Sequence, residues 1–200
     1  MACPRSIPAR EPRARMGVLL VNLGTPAAPT AAALRPWLRQ FLSDPRVVEW
    51  PRLIWQPILN GIVLAIRPAK SARKYASIWT PEGSPLKVHS ERLAAALAVA
   101  LREKKRDIAL AWAMRYGAPG IASAFDDLLA QGCARILVVP LYPQFAGSTT
   151  ASTLDEVGRA MQKRRNLPEM RFVRSFPDEP GYIAALAASV REHWARHGQG

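Results

Sequence analysis

Three apolar runs, GVLLVNLG (residues 17–24), IALAWAMRYG (108–117) and ARILVVPLYP (134–143), lack the polar alternation of a half-exposed strand. A strand without a polar face needs cover on both sides, so each run predicts a strand inside a parallel sheet. MRFVRSF (170–176) is more polar and predicts a fourth strand nearer an edge. Helical patterns separate the runs. Thr30 caps TAAALRPWLRQFLSD, where Pro36 is tolerable only in or near a first turn. Ser90 opens SERLAAALAVALREKK, and a stretch over 118–132 ends at Gly132. STLDEVGRAMQKRRN and GYIAALAASVREHWARHG complete the set. Strands alternating with such helices predict an α/β fold of βαβ units, a parallel sheet flanked by helices. In such sheets ligands bind at the carboxyl ends of the strands, so the residues after each run are the ones to read for function.

The 28 Lys and Arg against 15 Asp and Glu give a net charge of +13. That excess either attracts anionic partners or reflects an Arg-rich composition with no partner at all. A basic nucleic-acid-binding domain is one class this charge suggests, yet no groove-reading motif accompanies it. Neither G-x-G-x-x-G nor G-x-x-x-x-G-K-[ST] occurs. Cys3 and Cys133 make no disulfide framework and fit a reducing compartment. Residues 1–15 mix Pro and Arg without an apolar core and predict a disordered leader. The apolar stretch over 53–66 is broken by Gln56, Pro57, Asn60 and Gly61 and is too short to span a bilayer.

Chemistry-bearing residues cluster after the strands. Arg115 and Tyr116 place a guanidinium at the rim of the expected pocket, suited to a carboxylate; pairing with a neighbouring Asp or Glu is the alternative. The uncharged LYPQFAGSTTAS (141–152) offers Tyr142 and Phe145 as flat apolar surface and Ser148, Thr149 and Thr150 as donors, or else only caps the next helix. Trp50, Trp55, Tyr75 and Trp79 sit in a long apolar insertion, read either as a lip over a flat apolar ligand or as packing over the sheet. His193 and His197 stand at i, i+4 without a third ligand, and His89 has no assigned role, so no metal site is expected. No Ser/His/Asp set and no strand-end acid pair supplies a general acid or base.

Five segments taken in order, GVLLVNLGTP (17–26), FLSDPRVVE (41–49), KYASIWTPEGSPL (74–86), AMRYGAP (113–119) and PLYPQFAGSTTAS (140–152), resemble the ferrochelatases in their proteobacterial form. The resemblance covers about residues 16–200. It implies insertion of ferrous iron into protoporphyrin IX to form protohaem, the last step of haem biosynthesis. By position it implies that Leu23, Tyr75, Arg115, Tyr116, Tyr142 and Ser148 contact the porphyrin, with the aromatic insertion, about residues 45–85, as lip.

The same resemblance accounts for the missing base. The family carries its catalytic His in an S-x-H-G/S-[IL]-P segment and a Glu further on, and neither is in this sequence. It therefore implies a first chelatase-like, flavodoxin-like lobe over 16–150 and the start of a second, truncated lobe over 151–200, binding porphyrin but inactive alone. A non-catalytic porphyrin- or haem-binding half-lobe is the alternative. Where some relatives hold an iron–sulfur cluster through a Cys, this chain has Gly147, so no cluster and no other resident cofactor is expected. Protoporphyrin and ferrous iron are the expected partners and nucleic acid is not. The expected location is cytoplasmic, with peripheral membrane contact through the basic surface and lip.

Overall fold

The structure, a computed structural model, describes residues 15–198. The expected leader lies outside them apart from Arg15, which opens the first strand. Four strands, β1 (Arg15–Gly24), β2 (Ile108–Tyr116), β3 (Cys133–Pro140) and β4 (Glu169–Phe172), form one all-parallel sheet in the order β2-β1-β3-β4. The expected parallel α/β fold is the one observed. With β1 and β3 adjacent and β2 on the other side of β1, the switch point of the sheet lies between β1 and β3.

The residues of β1 divide by the period of two. Leu19 and Val21 pack with Phe125 and Leu128 of α5 (Ile121–Ala130) and Val157 of α6 (Ser152–Gln162). Val18 and Leu20 face the other way, against Ala94 of α4 (Pro85–Glu103). Both faces are apolar because both are covered, as the uniform run requires. Burying Leu19, Val21, Phe125 and Leu128, all fully inaccessible, contributes roughly 1.5–3 kcal/mol each.

Three further helices and a π-helical turn form a cap over the strand ends. They are α1 (Ala31–Leu42), α2 (Arg52–Ile58), a π-helical turn at Leu59–Val63 and α3 (Leu64–Ile78). Leu34, Trp37 and Leu38 of α1 pack with Leu59, Leu64 and Tyr116. The aromatic insertion is thus helical, and it packs inward while exposing other apolar side chains.

Two expectations need correction. Pro36 lies well inside α1, whose cap is Thr30, its hydroxyl accepting from the Ala33 N–H. Ser90 is not a cap: α4 begins five residues earlier with Pro85 in its first turn, and Ser90 is buried mid-helix, donating to the Leu86 carbonyl and accepting from Asn22 Nδ2 at 3.1 Å. Beyond β3, α6 packs on the β1 core and β4 pairs with β3. The last helix, α7 (Pro180–His197), has no buried residue.

Two glycines let the ends of β1 and β2 meet. Gly24 has φ +109°, and a Cβ there would lie 1.8 Å from the Tyr116 carbonyl oxygen. Gly117 has φ +97°, and its Cβ would lie 2.7 Å from the Thr25 carbonyl oxygen. Gly158, inside α6, has open space around it. Gly24→Ala should therefore destabilise by more than about 1 kcal/mol, whereas Gly158→Ala should stabilise by about 0.5–1 kcal/mol. Urea unfolding midpoints of the two variants moving in opposite directions would bear this out; a neutral Gly24→Ala would refute it.

Candidate functional site

At the carboxyl end of β2, the guanidinium of Arg115 is 3% exposed and faces Asp44, from the turn after α1, at 2.5 Å. Asp44 also accepts from Tyr116 Oη at 2.8 Å, Ser152 Oγ at 2.6 Å and the Arg46 N–H at 2.8 Å. Arg115 Nε in turn donates to the Ser152 carbonyl at 2.9 Å and Oγ at 2.7 Å. Burial pushes the Asp44 carboxyl up, but the hydrogen bonds and the Arg115 charge outweigh it and hold the group below the usual carboxylate range. Burial raises Tyr116 to about 12, so its phenol keeps its proton and donates. The guanidinium is thus paired with a nearby acid, the alternative reading of this arginine.

Aromatic rings lead outward from this network. Tyr116 meets Phe41 edge-on at 5.1 Å, Phe41 stacks on Trp37 at 5.4 Å, and Tyr75 contacts Trp37 at 5.9 Å and Trp79 at 6.5 Å. Trp37 and Trp79 then line a cavity of about 470 Å³, within the roughly 300–1,000 Å³ of small-molecule sites. Thr25 and Gly117 border it where the two strand-end loops meet, and Glu82 and Lys87 add charge at its edge. Two buried donors at this wall, Thr25 Oγ1 and Trp37 Nε1, have no hydrogen-bond partner among the described residues. Each such donor costs about 1–3 kcal/mol until an acceptor reaches it.

Beside the cavity lies the switch point. Leu23, at the end of β1, and Tyr142 and Ser148, after β3, are half-buried on its two sides. The Leu141 N–H donates to the Val21 carbonyl at 2.7 Å, which holds the two strand ends together there. The Asn22 side chain accepts from the Leu23 N–H at 2.8 Å while donating to Ser90, so α4 is tied to the end of β1. Burial pushes the Tyr142 phenol above its ordinary range. Ser148 and buried Thr150 lie in a π-helical turn, Gly147–Ala151, leading into α6.

Sequence reading thus named residues around the site more than residues on the cavity wall. Tyr75 stands behind Trp37 and Trp79, and Arg115 and Tyr116 lie beneath, in the buried network. Trp37, Gln40, Glu82 and Lys87 were missed as lining residues, since they follow no strand. His89, His193 and His197 are exposed on α4 and α7, and none lines the cavity. Among the described residues no group of three or more His, Cys, Asp or Glu could hold a metal ion, and no helix is long and apolar enough to cross a membrane.

Comparison with known proteins points one way. A family model described as ferrochelatase matches residues 15–200. A ferrochelatase of Azoarcus sp. (strain BH72) is 67% identical over 186 residues, covering 93% of this chain and 51% of that protein. That of Aromatoleum aromaticum is 63% identical, covering 92% and 51%. That of Chromobacterium violaceum is 55% identical over 206 residues, covering all of this chain and 56% of the relative. The chain spans about half the length of the curated relatives it matches.

The Asp44 network makes the site's stability pH-dependent. Because the folded-state carboxyl sits below its unfolded value, its contribution is complete above the unfolded value, near 3.9, and is lost as pH falls through the folded one. Asp44→Asn should cost about 3–5 kcal/mol at neutral pH by stranding a buried guanidinium, and should flatten stability's fall below about pH 4. Removing the exposed partner Asp107 of Arg15 should cost under about 1 kcal/mol. Equal effects in urea unfolding would contradict the assignment.

Proposed function

The chain belongs to the ferrochelatase family, and on that premise we propose that its 200 residues bind protoporphyrin IX for insertion of ferrous iron. The observation that carries this reading is the site at the strand ends: an aromatic-walled cavity with two unpartnered buried donors, beside an open crevice at the switch point. A porphyrin is large, flat and apolar, with two carboxylates at its edge. Rings such as Trp37 and Trp79 suit its faces, and Thr25 and Trp37 have donors for an acceptor.

Leu23, Tyr142 and Ser148 are assigned to the crevice side of the macrocycle and Tyr75 to the lip behind the cavity. Arg115 and Tyr116 act from beneath, through the charge and shape that Asp44 holds. No resident cofactor enters the reading; iron is a substrate.

Metal insertion requires that the pyrrole N–H protons leave before the ion enters the ring plane. A proton acceptor must therefore face the macrocycle. His, the residue best suited near neutral pH, is absent from the cavity wall, and Glu82 there is held by two hydrogen bonds from Arg92 at 2.8 and 2.9 Å. The reading accordingly gives these residues substrate binding and no metal insertion on their own. Residues 52–78 add a surface for membrane contact: Leu53, 92% exposed, with Ile54, Ile62 and Ile66, beside Arg52, Arg67, Lys70, Arg73 and Lys74 and without an acidic residue.

An optical titration of protoporphyrin with the chain, followed by zinc, tests the proposal. A saturable shift of the Soret band without metallation above the protein-free rate is expected. No shift would remove the porphyrin assignment, and metallation would show that a proton acceptor lies within these residues. Flotation with anionic but not neutral vesicles is expected in the same preparation; flotation with neither would remove the membrane contact.

A further inference from the structure

A second cleft, of about 450 Å³, opens on the neighbouring face of α1, with Pro36 and Gln40 as the wall it shares with the first. It is lined by Arg39 of α1, Arg52 of α2, Arg115 at the end of β2 and Arg159 of α6, against two carboxylates, Asp44 and Glu156. Both carboxylates are already engaged. Asp44 holds Arg115, and Glu156 meets Arg159 at 2.5 Å and Arg115 at 3.4 Å. Arg39 and Arg52 are exposed, and their side chains make no hydrogen bond or ion pair among the described residues. Two guanidiniums are therefore left uncompensated at a cleft whose floor already buries a third.

Like charges gathered around a concave surface raise the local potential and draw in an anion. The donors come from three different helices, α1, α2 and α6. A planar carboxylate is satisfied by a single guanidinium fork, whereas a phosphate group presents oxygens on all sides. We propose that this cleft binds a phosphate-bearing small molecule, with Arg39 and Arg52 as the principal contacts and Arg159 completing the set. The site is distinct from the Trp37 cavity and does not depend on what that cavity binds.

Calorimetric titration of the chain with inorganic pyrophosphate, at ionic strength fixed with sodium chloride, tests the assignment. One saturable site is expected, weakened at least about tenfold in the Arg39→Gln/Arg52→Gln double variant, that is by about 1.4 kcal/mol or more. Both side chains are exposed and unpaired, so the variant should melt at the wild-type temperature; Arg159→Gln, expected to bind more weakly than wild type, provides an independent check. Succinate, carrying two carboxylates at similar charge, is expected to bind more weakly than pyrophosphate. Absence of binding in the millimolar range, or equal affinity in the double variant, would overturn the site. Succinate binding as tightly as pyrophosphate would overturn the phosphate assignment.

Discussion

The Asp44–Arg115 pair joins parts of the chain that are far apart in sequence. Asp44 and Arg115 are separated by 71 residues and Asp44 and Ser152 by 108, yet their polar atoms lie within 2.7 Å of one another. A charge buried to 3% exposure is tolerated only with a counter-charge and further donors in place, and here the turn after α1 and the start of α6 supply them. The arrangement consequently fixes where α1 ends, how β2 terminates and where α6 begins. A second, exposed link between Arg46 and Asp155, at 2.9 Å, bridges the same two segments and adds little by comparison.

Both clefts inherit their walls from this arrangement. The helix that delivers Asp44 also carries Trp37 and Gln40 into the cavity and Arg39 into the basic cleft. The strand that carries Arg115 continues into Gly117, where the close approach to Thr25 closes the cavity floor. Local sequence contributes caps and turns, but the shape of the site comes from a long-range polar contact and two positions that accept only glycine.

The strands were legible because a parallel sheet covered on both faces demands uniformly apolar runs, and few other structures do. Ser90 was misread because a serine ahead of an amphipathic stretch has the chemistry of a cap; its true partner, Asn22, lies on another element 68 residues away. The role of Asp44 was not legible, since a parallel sheet directs attention to acids that follow strands and Asp44 follows a helix. The same bias hid Trp37, Glu82 and Lys87. Leu23, Tyr142 and Ser148 lie at the switch point, where strand-end topology directs attention; their assignment to a ligand came from the family resemblance.

If the buried pair organises the site, its two members act as a unit. A double-mutant cycle on Asp44→Asn and Arg115→Met, read by urea unfolding, measures that directly. The double variant should be much less destabilised than the sum of the singles, with a coupling of about 2 kcal/mol or more, because removing both charges strands neither. Single effects that add to within about 0.5 kcal/mol would show that Asp44 and Arg115 stabilise the fold independently and that the site is organised by something else.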